Sequence, residues 1–226
     1  MLVSERANVL CMPRCGSTSA TNGLAYCMHK LNDHLFHDGW SLLPAHRRAR
    51  PTFALVREPL SWYASFLEYA RGSIWHDYFG WSNEQECSFA HDLRRTVEPS
   101  EQWAQRARSI ITGVSTPRNV LAEMYNAKIG AWSWWALHIL ALSERVVDAQ
   151  QSLAPVRLLW LDETRDADLK ALCSLHNTVL HPSRVYRNAS KRATVEQLFN
   201  DELLALVHRY DGAVLRRLQA MPRGVV

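Results

Sequence analysis

Short, continuous apolar runs alternate along this chain with stretches whose apolar positions recur every three to four residues. "ANVLC" (7–11) reads as a buried strand, and "TSATNGLAYCMHKL" (18–31) as the helix that follows it. "DHLFH" (33–37) fits the end of a second strand, and "PTFALV" (51–56) is a third. "REPLSWYASFLEYARG" (57–72) follows directly as a helix, with Pro59 suited to its first turn and Gly72 to its stop. From about 72 to 118 the periodicity blurs, and irregular helices and loops are expected. "AWSWWALHILALSERVVDAQ" (131–150) predicts a helix, "PVRLLWLD" (155–162) a buried strand, and "DADLKALCSLH" (166–176) another helix. A last long helix is expected from about Arg192 to Leu218. Its stripe is Val195, Leu198, Phe199, Leu203, Leu206, Val207, Tyr210, Val214 and Leu218. Strands alternating with helices predict an α/β fold with a mainly parallel central sheet flanked by helices. On such sheets, ligands bind beyond the carboxyl ends of the strands.

Composition narrows this picture. The 226 residues suffice for one domain with a proper core, so 1–226 is read as a single unit. A net charge of +4 is far from the excess of a nucleic-acid-coating protein, yet it suits an anionic ligand. Five cysteines, an odd number without framework spacing, point to reduced thiols and a cytoplasmic setting. No signal-peptide pattern opens the chain, and "IGAWSWWALHILAL" is too short to span a bilayer, so no transmembrane segment is expected. His34 and His37 with Cys27, or Cys11 with Cys15, match no structural zinc spacing, and no metal is expected.

The chemistry concentrates at two strand ends. After "ANVLC", Gly16 permits a close backbone approach, and Ser17, Thr18 and Ser19 open a helix whose first amides lack intrahelical partners. Arg14 adds a permanent charge and a planar fork suited to two oxygens. The usual nucleotide loop, G-x-x-x-x-G-K-[ST], occurs nowhere. An ordinary capped helix would carry the same small residues. After "PTFALV", however, Arg57 ends a second strand before Pro59 begins a helix, and Ser65 follows the arginine by eight positions. Two such corners on one sheet edge suggest a ligand with separated anionic groups.

"PRCGSTS" (13–19) resembles the 5′-phosphosulfate loop of sulfotransferases that use 3′-phosphoadenosine 5′-phosphosulfate (PAPS), and "LVREPLSWYASF" (55–66) is similar to their 3′-phosphate segment. The resemblance implies a P-loop-like sulfotransferase architecture. It also implies that Arg14, Cys15, Gly16, Ser17, Thr18 and Ser19 hold the phosphosulfate end, and Arg57 and Ser65 the 3′-phosphate. Many cytosolic members carry lysine where Arg14 stands. An arginine hardly gives up a proton, so electrostatic stabilisation fits this loop better than acid catalysis. The family's base histidine lies at the end of the second strand, before a Leu-Leu-Pro stretch. His37, preceding Leu42, Leu43 and Pro44, is the first candidate, and His34 the second. Glu58 and Glu68 stay open, because some carbohydrate and tyrosine sulfotransferases use glutamate.

"VYRNASKRAT" (185–194) places Arg187, Asn188 and Ser190, with Lys191 and Arg192, before the last helix. In related enzymes such a loop closes over the nucleotide; the alternative is a solvated capping segment. The aromatic middle, with Trp75, Tyr78, Phe79, Trp81 and Trp103, is a candidate acceptor cover, whereas Trp132, Trp134 and Trp135 read mainly as core. The expected reaction is sulfuryl transfer from PAPS to a hydroxyl or amine. The loop arginine and the C-terminal pattern lean toward a carbohydrate or glycolipid over a small phenol, and nucleic acid is not an expected partner. The alternatives are a P-loop-like ATP-dependent kinase, with Asp162 as metal carboxylate, and a non-catalytic nucleotide-binding module.

Overall fold

The computed structural model describes residues 1–31, 37–70, 88–98, 100–101, 120–143, 145–178 and 194–225. His34, Arg187, Asn188 and Ser190 lie outside them, as do Trp75, Tyr78, Phe79, Trp81, Trp103, Lys191 and Arg192.

Strand β1 (Leu2–Val3) turns back into β2 (Asn8–Cys11), and α1 (Ser17–Gly23) leads to β3 (His29–Lys30). A single 3₁₀ turn, Trp40–Leu42, and a short helix α2 (Ala45–Arg48) precede β4 (Thr52–Val56) and α3 (Pro59–Ala70). Then come α4 (Phe89–Val97), α5 (Val120–Ala127), α6 (Ala131–Leu140), β5 (Arg157–Trp160) and α7 (Leu161–Leu175). Helices α8 (Val195–Leu198) and α9 (Asp201–Gln219) close the series.

The fold is mixed α/β, and the described residues form one open five-stranded sheet in the order β3-β1-β2-β4-β5. Pairs β2–β4 and β4–β5 are parallel, as the alternation of strands and helices predicts. The other two pairs are antiparallel, which the pattern of apolar runs does not anticipate. Their origin is local. The Ser4 hydroxyl accepts the Ala7 N–H at 3.0 Å and the Ser4 N–H donates to the Ala7 carbonyl at 2.9 Å, closing a hairpin between β1 and β2. Every residue of β2 and of β4 is buried, which explains why these strands read as unbroken apolar runs.

Helix α6 is apolar on all sides, and every residue but His138 is buried. It stops at Leu140, short of the expected reach to residue 150, because the chain folds back: Leu142 N–H donates to the Ser152 carbonyl at 3.1 Å, and Ala154 N–H to Leu140 at 2.7 Å. The predicted last helix is likewise divided. Asn200 interrupts it and caps α9, its side chain accepting the Leu203 N–H at 3.0 Å. The apolar stripe survives the break: Phe199, Leu203, Leu206, Val207, Val214 and Leu218 are all in the core. Among the described residues, no helix is long and apolar enough to cross a membrane.

Candidate functional site

The parallel register Cys11↔Leu55 sets the carboxyl ends of β2 and β4 side by side. Each strand end then turns into a helix, and the two corners share one neighbour.

At the first corner, Cys15 N–H donates back to the Met12 carbonyl at 3.2 Å, making a tight turn. Arg14 has φ 60° and Gly16 φ 72°, both in the left-handed region. For Gly16 this region is cheap; for Arg14 it costs on the order of 1 kcal/mol, which the surrounding bonds must offset. A Cβ on Gly16 would also come within 2.7 Å of Leu161 Cδ1, so the loop backbone lies against the start of α7. Cys15 is buried and can offer a ligand only its backbone; Ser17 is half-buried, Thr18 exposed, and Ser19 buried. The buried indole of Trp62 donates to the Pro13 carbonyl at 2.7 Å and pins the loop to α3.

At the second corner the same device recurs. The buried indole of Trp132, on α6, donates to the Arg57 carbonyl at 2.8 Å. Arg57 Nε donates to Ser61 Oγ at 3.1 Å, while Arg14 Nε donates to Ser65 Oγ at 3.2 Å. Ser61 and Ser65 lie one turn apart on the same face of α3, about 6 Å along its axis. Both guanidinium groups therefore lie along one face of one helix. The Arg14 guanidinium also stands over the Tyr69 ring at 4.7 Å, a cation–π contact. The sequence resemblance joins Ser65 with Arg57; here Ser65 bonds Arg14, and Ser61 serves Arg57.

His37 completes the group. Its Nδ1 lies 2.7 Å from the Cys11 carbonyl, at the last residue of β2. A carbonyl only accepts, so Nδ1 carries the proton and Nε2 of the neutral ring carries the lone pair. Burial pushes the pKa of His37 below the ordinary 6.5, which favours the neutral ring near pH 7. Trp135 meets the imidazole edge-on at a centroid distance of 6.3 Å. The chain can reach this position because Gly39 passes close under α6: a Cβ there would sit 2.1 Å from the His138 carbonyl oxygen. Glu58 is half-buried beside Arg57, and Glu68 is exposed farther along α3.

Arg14, Gly16, Ser17, Arg57, Ser65 and His37 thus gather at one sheet edge. Ser61, Trp62, Tyr69 and Trp132 were not singled out from the sequence as site residues. Spacing offered one signal for them, since Ser61 stands four residues after Arg57 and four before Ser65. Among the described residues, no group of three or more His, Cys, Asp or Glu side chains gathers as a metal site. Comparison with protein-family models, with curated proteins and with solved structures finds no match to this chain.

Proposed function

We propose that this chain is a P-loop-like sulfotransferase that moves a sulfuryl group from PAPS to a hydroxyl or amine acceptor. The observation that carries the reading is that Arg14 and Arg57, each following the carboxyl end of a parallel strand, bond to serines one helical turn apart on α3. Two fixed cations at that separation fit two anionic groups borne on one ribose better than a single phosphate. The acceptor is read as a carbohydrate or glycolipid and the setting as the cytoplasm, both resting on the sequence pattern.

When bound, the donor supplies the sulfuryl group and departs as adenosine 3′,5′-bisphosphate. Arg57, with Ser61 beside it, would hold the 3′-phosphate. Arg14, with the amides of the Gly16–Ser17 turn, would hold the phosphosulfate end and stabilise charge on the bridging oxygen as its bond to sulfur breaks. His37 would accept the acceptor's proton at Nε2 as the acceptor oxygen or nitrogen bonds to sulfur. Positioning and electrostatics carry most of the work, as in phosphoryl transfer.

Calorimetric titration without magnesium tests the reading. Adenosine 3′,5′-bisphosphate should bind, and ATP and 5′-AMP should bind far more weakly. Arg57→Ala should weaken the bisphosphate roughly tenfold to a hundredfold, the value of a charge-assisted hydrogen bond, while leaving 5′-AMP little changed. Equal binding of ATP and the bisphosphate would refute it.

A further inference from the structure

Helix α1 touches α7 at both ends, and two thiols meet at the second contact. At the start of α1, Gly16 lies against Leu161, the first residue of α7. At its end, the Cys27 thiol donates to the Leu24 carbonyl at 3.4 Å and the Cys173 thiol to the Gly23 carbonyl at 3.9 Å. These carbonyls belong to consecutive residues, so sulfurs from positions far apart in the chain share one helix terminus. The two side chains are also close enough to influence one another electrostatically. Among the described cysteines, Cys11, Cys15 and Cys173 are buried and Cys27 is partly open to solvent.

We propose that Cys27 and Cys173 form a reversible disulfide, a redox-sensitive site that ties the helix behind the anion corner to α7. The oxidant class is a peroxide. The Cys27 thiolate attacks one oxygen of hydrogen peroxide, the O–O bond breaks, and a sulfenic acid forms with release of water after protonation. Cys173 sulfur then attacks the Cys27 sulfur; its proton and the sulfenic hydroxyl leave as a second water. Two thiols are oxidised by two electrons, and one peroxide is reduced to two waters. The roles follow from exposure: the peroxide reaches Cys27, and Cys173 resolves the sulfenic acid from inside. Burial and the neighbouring Cys27 push the Cys173 thiol pKa up, which makes it a poor first target for peroxide.

The test uses the full chain. Reduced protein is exposed to hydrogen peroxide, blocked with iodoacetamide, digested and mapped by mass spectrometry. A peptide linking Cys27 to Cys173, two hydrogens lighter than its parts and reversed by dithiothreitol, is expected; Cys27→Ser and Cys173→Ala should abolish it. Cys27→Ser, at the more open position, keeps the test decisive if the core variant fails to fold. Oxidation of Cys27 to sulfinic acid without that peptide, or its pairing with any other cysteine, would overturn the proposal. A second arm, resting on the functional reading above, titrates adenosine 3′,5′-bisphosphate into oxidised and reduced protein. A twofold or larger change in affinity, absent in Cys27→Ser, is expected because α7 presses on Gly16. An unchanged affinity beside an intact linked peptide would overturn the coupling, whereas no binding in either form would count against the functional reading alone.

Discussion

On the proposed reading His37 is the base, and a base must be neutral to work, so the environment of the ring sets where that holds. Its folded pKa lies below 6.5 because the ring is buried. The acid limb of the pH–rate profile should therefore inflect below the ordinary histidine value, with transfer rising as pH increases through it. His37→Ala should lower the rate roughly a hundredfold to ten-thousandfold, the usual worth of a positioned base, while leaving bisphosphate affinity nearly unchanged. An unaltered profile in that variant would remove His37 from the mechanism. A second residue-scale expectation concerns Trp62. Trp62→Phe keeps most of the ring packing against Phe66 but leaves the Pro13 carbonyl without the indole donor. About 1–2 kcal/mol of stability should be lost in thermal unfolding, along with some donor affinity, because the loop's anchor is gone. Arginine, serine and histidine were legible as candidate site residues because two strand-end cations, each followed by hydroxyls at helical spacing, recur in one chain. Trp62 and Trp132 were legible only as bulk. A sequence shows that an indole is apolar; which carbonyl receives its N–H depends on how three helices pack.

Three helices meet at one buried carboxylate. Asp211, on α9, accepts the Ser133 N–H at 3.0 Å and the Tyr63 hydroxyl at 2.8 Å, and that hydroxyl accepts the Trp132 N–H at 3.1 Å. A residue from α9 thereby caps the start of α6, where Gly130 offers no side chain of its own. This node holds α3 and α6, which between them carry Ser61, Ser65, Trp62 and Trp132. Burial pushes the Asp211 pKa up to about 6 from the ordinary 3.8. Its folded form thus binds a proton more tightly than its unfolded form. This group's contribution to stability is most favourable below pH 3.8, declines as pH rises, and its full cost is reached above 6. Asp211→Asn removes that titration, so the wild-type-minus-variant difference in unfolding free energy should fall by about 3 kcal/mol between those limits. A flat difference across the window would mean the carboxylate is not buried as described. Gly130→Ala should be costly at every pH, by roughly 1–3 kcal/mol, since a Cβ would lie 2.6 Å from the Tyr63 hydroxyl and 2.7 Å from both Asp211 oxygens. The element pattern gave the apolar stripe of α9 correctly and its start wrongly. Asn200, followed by Asp201 and Glu202, was the available cap signal, and the continuing apolar period concealed it.

For the molecule as a whole, the parallel half of the sheet was readable, because β2, β4 and β5 are buried runs each followed by helical spacing. The antiparallel half was not: β1 and β3 are two residues long, too short to show any alternation. Strand order and edges also depend on distant segments, and the β5 edge shows this most directly. Beyond α9 the chain returns along β5: Leu158 N–H donates to the Pro222 carbonyl at 2.8 Å, and Gly224 N–H donates to the Leu158 carbonyl at 3.0 Å. The Arg157 guanidinium bonds the carbonyls of Arg223 and Gly224, at 2.7 and 2.8 Å, and the Arg223 guanidinium stands 5.2 Å from the centre of the Trp160 ring. These contacts cover an open strand edge that would otherwise offer its backbone to another chain. Removing residues 222–226 should therefore lower stability by about 2–3 kcal/mol, from two backbone hydrogen bonds and a cation–π contact, or roughly 5–10 °C in melting midpoint. It should also increase self-association, detectable by light scattering. Bisphosphate affinity should stay within about twofold, because Arg14 and Arg57 bond to α3 on the β2 and β4 side of the sheet. A truncated chain that melts normally but no longer binds would place the anion corner at the β5 edge instead, against the geometry of α3.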